Sequence, residues 1–154
     1  MQATNEKSRD ILNDLVDVCK DGQQGFQTAA KDVKDTELSA TFARYAGQRT
    51  QFISELHQRI RLLGGDPDKH GSIRGTLHRG WMDLKTALSS NEPHAVLEEC
   101  ERGEDAAVKN YREALVRPEL DVESRQLVQR QFEEVQAAHD RIRALRDSTT
   151  YAHR

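Results

Sequence analysis

"LLGGDPDKHGS", residues 62–72, is the stretch on which the fold turns. An apolar periodic segment runs into it and cannot run through it. Gly64 and Gly65 offer the left-handed cap that ends a helix, and Pro67 forbids continuation. On its N-terminal side Leu38, Phe42, Tyr45, Arg49, Phe52, Leu56, Ile60 and Leu63 recur at spacings of three and four. That period predicts a helix ending at about Leu63, with Asp35 or Thr36 of "KDTEL" as its N-cap. Before it, Ile11 or Leu12, Leu15, Cys19, Gly22, Phe26, Ala29 and Val33 predict a first helix from about Asn5 to Lys34.

On the C-terminal side a shorter helix is predicted over Ile73–Leu88, with Leu77, Trp81, Leu84 and Leu88 on one face. "SSNEP" stops it, and Asn91 as N-cap with Pro93 in the first turn starts the next. That helix reaches about Val116 and carries Leu97, Cys100, Glu104, Ala107, Tyr111 and Ala114 or Leu115. "RPELD" turns the chain into a last helix, Val122 to about Arg146, with Val128, Phe132, Val135, His139, Ile142 and Leu145 on its stripe. "DSTTYAHR" reads as a frayed tail.

The connections set the topology. The first two long helices are joined tightly, as are the last two, so each pair is expected to be an antiparallel hairpin. Roughly thirty residues join the hairpins. A helix of about 26 residues is roughly 39 Å long, and a connector of that size can return along it. The expected fold is all-α: a ferritin-like four-helix bundle with a long crossover carrying an extra short helix. At 154 residues one domain is expected, its core spanning about residues 5–147.

The composition narrows the function classes. Charged residues make up 32% of the chain, the net charge is −3, and both signs are interspersed. No basic face is offered to nucleic acid. No run is apolar enough to span a membrane, and "MQATNEKSRD" lacks the apolar stretch of a signal peptide, so a cytoplasmic protein is expected. Cys19 and Cys100 lack metal or redox spacing and are expected to be buried, reduced thiols. There is no Gly-rich phosphate loop and no GxSxG elbow.

Three stripes carry a residue foreign to an apolar seam: Arg49, Glu104 and His139. In a tight hairpin, residues equidistant from the turn face each other, which sets Arg49 opposite Gly22. Gly22 and Gly25 are costly inside a helix, about 1 kcal/mol each against Ala, and leave room for a large side chain. Arg49 and Glu104 then fall near mid-bundle, with His139 about a turn away. A lone buried charge is expensive, so an Arg49–Glu104 pair is expected, with Glu101 or His139 as a further partner. This polar core of Arg49, Glu101, Glu104 and His139 either fixes helix register or lines a polar pocket.

A di-iron bundle needs a Glu on each of two helices and Glu-x-x-His on each of the other two. Here Ser54-x-x-His57 and Gln136-x-x-His139 keep the histidines without the glutamates, and Gly22 stands where the first helix would supply a carboxylate. The expectation is a non-enzymatic protein without a cofactor. The alternative is an iron or manganese oxidoreductase with the reduced ligand set His57, Glu101, Glu104 and His139. A homodimer or another protein partner is expected, with Trp81 as a candidate anchor.

The runs "ILNDLVDVCKDGQQGFQTAAKDVKD", "LLGGDP", "LHRGWMDLKTAL", "ECERGEDAAVKNYREAL" and "AAHDRIRALRD" together resemble the bacterial family of unknown function DUF2383, from about Leu12 to Asp147. The resemblance implies a ferritin-like four-helix bundle in a bacterial cytoplasm and no established activity. It carries no ferritin ligands onto this chain, because the glutamate positions depart from that pattern.

Overall fold

The computed structural model describes residues 2–67 and 81–152. Among these the regular structure is entirely helical, in five α-helices: α1 Gln2–Asp32, α2 Thr36–Leu62, α3 Leu84–Ser89, α4 Pro93–Leu115 and α5 Val122–Asp147. None of them is long and apolar enough to cross a membrane.

The helix ends follow local chemistry. Asp35 caps α2 by accepting a hydrogen bond from the Leu38 amide at 3.0 Å, and Asp121 caps α5 through the Ser124 amide at 3.2 Å. The C-terminus of α2 closes as its glycines predict, with Gly64 at φ 81°. The start of α4 differs from expectation. Glu92, not Asn91, is its N-cap, while Asn91 takes φ 63° and its amide bonds back to the Leu88 carbonyl at 3.2 Å. Asn tolerates the left-handed region, so it ends the preceding turn instead of starting the next helix. Pro93 sits in the first turn as expected.

Of the helix expected over Ile73–Leu88, residues 73–80 lie outside the described residues. The described remainder is a turn at residues 81–83 followed by the six-residue α3. It is held to α4 by Glu99, whose carboxylate accepts from the Asp83 amide at 2.6 Å and is braced by Arg102.

Contacts between helices fix their directions. Along α1, Ser8 meets the Glu119 carbonyl just beyond the end of α4 and Cys19 meets Tyr111 within it, so the partner's number falls as α1 advances. The same antiparallel sense holds for α1 with α2 (Gln23 with Thr50, Ala30 with Ser39), α4 with α5 (Tyr111 with Gln131, Glu101 with Arg146) and α2 with α5 (Phe52 with Gln131, Arg59 with Asp121). Consequently α2 and α4 run the same way, so the end of α2 and the start of α4 lie at opposite ends of the helix pairs.

Among the described residues the core is two apolar clusters rather than one. One contains Leu12, Leu15, Cys19, Phe52, Leu56, Ala107, Tyr111 and Val135. The other contains Phe26, Leu38, Phe42, Ala46, Trp81, Leu97, Cys100 and Ile142. On each long helix the break between them falls at one level: Gly22, Arg49, Glu104 and His139. The foreign residues of the stripes therefore form a polar layer across the middle of the molecule.

Two packing expectations need correction. Gly25 does not make room for Arg49. A Cβ there would stand 2.4 Å from Cδ2 of Trp81, and one at Gly103 would stand 2.2 Å from Cε2, so the indole is slotted between the backbones of α1 and α4. Trp81 is thus 8% exposed and serves its own core; it is no outward anchor for a partner. The end of the chain is not frayed either. Tyr151 is buried, its hydroxyl donates to Asp35 at 2.9 Å, and its carbonyl meets His94 Nδ1 at 3.0 Å. The turn that starts α2 and the first turn of α4 together supply partners for this tail, a juxtaposition that only the folded topology creates.

Candidate functional site

The middle of the polar layer is the Arg49–Glu104 pair. Its geometry is fork to fork, with Nη1 donating to Oε1 at 2.7 Å and Nη2 to Oε2 at 2.6 Å. The two side chains are 1% and 0% exposed. Gly22 makes the space, since a Cβ there would meet Arg49 Nη1 at 3.0 Å. The guanidinium also lies over the rings of Phe26 and Phe52, 5.6 and 5.9 Å from their centroids. Its third nitrogen, Nε, donates to Gln48 Oε1 at 3.2 Å. Burial alone would draw Arg49 below its usual range, but the Glu104 charge and hydrogen bonds outweigh burial and hold it above. The pair is closed on itself, and neither carboxylate oxygen of Glu104 faces an open position.

A buried hydrogen-bond chain flanks it. The Tyr111 hydroxyl donates to Gln131 Oε1 at 2.8 Å, so the Cys19 thiol, 3.1 Å away, donates to Tyr111. Gln131 passes its amide on to the Phe52 carbonyl at 3.3 Å and to Glu55 at 3.0 Å. Burial pushes the Cys19 thiol up to about 11. Cys100 is pushed well up by burial, with Glu104 and Glu99 adding to it. Both cysteines are free and buried, and both stay thiols at neutral pH. A thiol in that state is a poor nucleophile. Gln131 was missed because its polarity hid its place on the α5 stripe. It is 0% exposed, while the expected Phe132 is only half-buried and lies under Arg112.

His139 does not join the Arg49–Glu104 pair. Its Nε2 faces Asp105 Oδ1 at 2.6 Å and Glu101 Oε2 at 3.7 Å, and its Nδ1 faces Asp140 Oδ1 at 3.1 Å. Glu101 is held from the other side by Arg146, which also binds Asp147 at 2.9 Å. The four residues expected in one polar core therefore form two groups, Arg49 with Glu104 and Glu101 with His139.

The reduced metal set does not assemble as expected. Among the described residues, the His, Asp and Glu atoms that converge as ligands are those of Glu101, Asp105 and His139, within 4.8 Å of one another. Glu104 is absent from that cluster because its carboxylate is committed to Arg49. His57 is absent because it lies eight residues along α2 from Arg49, about 12 Å at 1.5 Å per residue. Asp105 and Asp140 were missed. The readable signal was spacing, because Asp105 is four residues from Glu101 and shares its helical face.

No curated protein matches the chain. Residues 7–117 match the family model described as a domain of unknown function, DUF2383, which covers well over half of the chain. The chain is a member of the DUF2383 family.

Proposed function

We propose that this chain is a non-enzymatic, ferritin-like four-helix bundle whose polar centre is structural. The observation that carries this reading is the closure of the Arg49–Glu104 pair, with side chains 1% and 0% exposed and both carboxylate oxygens occupied. A catalytic carboxylate must meet a substrate or an ion, and among the described residues both oxygens of this one are bonded to Arg49. The ferritin-like assignment is supported by the parallel run of α2 and α4 between two antiparallel helix pairs. The rival reading, an oxidoreductase at the bundle centre, would need Glu104 and His57 as ligands. Anaerobic loading of tag-free protein with Fe2+, followed by exposure to oxygen, tests the choice. The expected result is oxygen uptake no faster than that of Fe2+ in buffer. Uptake that continues over many turnovers per chain would overturn the reading.

A module of this kind acts through contacts, and we propose a second copy of the chain as the partner. Support comes from exposed apolar side chains, Val116 and Val122 flanking the α4–α5 turn and Leu62 at the end of α2, which are 78%, 70% and 71% exposed. Sedimentation velocity should show a dimer that dissociates in Val116→Glu. A monomer at every concentration would remove this proposal.

A further inference from the structure

We infer that Glu101, Asp105 and His139 bind one divalent first-row transition ion on the α4–α5 face. The site is separate from the central ion pair and uses neither Glu104 nor His57. Glu101 and Asp105 project from successive turns of α4, and His139 reaches them from α5.

The distances suit a shared ion. Two donors each about 2.1 Å from one metal stand roughly 3.0–3.4 Å apart at tetrahedral or octahedral angles. His139 Nε2 is 2.6 Å from Asp105 Oδ1 and 3.7 Å from Glu101 Oε2, and donor atoms of all three lie within 4.8 Å of one another, so side-chain rotation can bring them into range.

The surroundings supply an independent argument, because each of the two less exposed ligands is held by its outer atom. Asp140 Oδ1 at 3.1 Å holds Nδ1 of His139, which turns Nε2 inward. A carboxylate behind the metal-binding imidazole is the usual way such a ring is fixed. Arg146 holds Oε1 of Glu101 and leaves Oε2 facing His139. The cation of Arg146 opposes an incoming ion, but Asp147 also binds that guanidinium and draws its charge outward. The His139 and Glu101 side chains are 9% and 12% exposed, whereas Asp105 is 63% exposed and forms the entrance.

Donor type names the class of ion. One imidazole nitrogen and two carboxylates, with no thiolate, favour Mn2+, Fe2+ or Zn2+ over soft monovalent copper. Two carboxylates balance the two positive charges. Three protein ligands leave the remaining positions to water.

The test is equilibrium dialysis of the full, tag-free chain against Mn2+ and, separately, Zn2+, with the metal counted per chain. One ion per chain is expected. Asp105→Asn alters an exposed group without changing its size, so it should fold normally and bind at least tenfold more weakly. Asp140→Asn should weaken binding by about 10- to 100-fold through the ring of His139. His57→Ala should bind as the unaltered chain does. Failure of the unaltered chain to retain either ion would overturn the inference. So would equal retention by Asp105→Asn, or a loss in His57→Ala as large as in Asp105→Asn.

Discussion

Glu104→Leu alone should cost about 3–5 kcal/mol of unfolding free energy, as should Arg49→Met alone, while the double variant should cost much less than their sum. Each single change strands a charge at a position that is 0–1% exposed. The stranded group cannot regain water at that depth, and it loses both hydrogen bonds of the fork at once. The double change removes both charges and keeps roughly the same volume of side chain between the two apolar clusters. Phe26 and Phe52, which face the guanidinium, would then face a methionine, a favourable contact for an aromatic ring. Urea unfolding of the four proteins closes a double-mutant cycle. Additive losses would show that the two residues act separately, and the structural reading of the polar layer would fall with them.

This pair was legible in the sequence because two independent patterns agreed. Helical phase set Arg49 and Glu104 on apolar stripes, and hairpin symmetry set Arg49 against Gly22. A charge inside a greasy period is a conspicuous signal, since it must be resolved by pairing. The Glu101–Asp105–His139 group gave a fainter one. Asp105 and Asp140 are exposed, and on a chain so rich in charge an exposed aspartate looks the same whether it is solvated or converging on a histidine. Only the contacts that α5 makes with α4 distinguish the two cases.

The role of Trp81 was hidden for a different reason. Its slot is formed by Gly25 and Gly103, far apart in sequence, and its ring enters from the connector, whose course local periodicity does not determine. Gln131 shows the limit of an apolar pattern: a fully buried amide that satisfies Tyr111, Glu55 and the Phe52 carbonyl breaks the stripe while occupying it. Tyr151 is buried by elements that meet it only after folding, so nothing in its neighbourhood along the chain announces it.

Gly22→Leu should destabilise the fold by more than the ordinary overpacking cost of about 1–3 kcal/mol. A Cβ at that position would already stand 3.0 Å from Arg49 Nη1 and 3.6 Å from its Cγ, and leucine adds three carbons beyond it. Helix propensity works the other way, since replacing a mid-helix glycine with a better helix former gives back about 1 kcal/mol. Which effect wins depends on what must move. Were the obstacle the free end of an exposed lysine, it would swing into water and the substitution could stabilise. Here the obstacle is a guanidinium tied by two hydrogen bonds to a buried carboxylate and enclosed by two aromatic rings, so displacing it breaks the central pair. The penalty should therefore depend on Arg49 itself. In an Arg49→Met/Glu104→Leu background, where a flexible uncharged chain faces residue 22, Gly22→Leu should cost at least 1 kcal/mol less than in the unaltered protein. Thermal and urea unfolding of both pairs measures the difference. An equal cost in the two backgrounds would mean that the space beside Gly22 is filled by something other than the arginine, and that the glycine serves the backbone of α1 rather than the charge beside it.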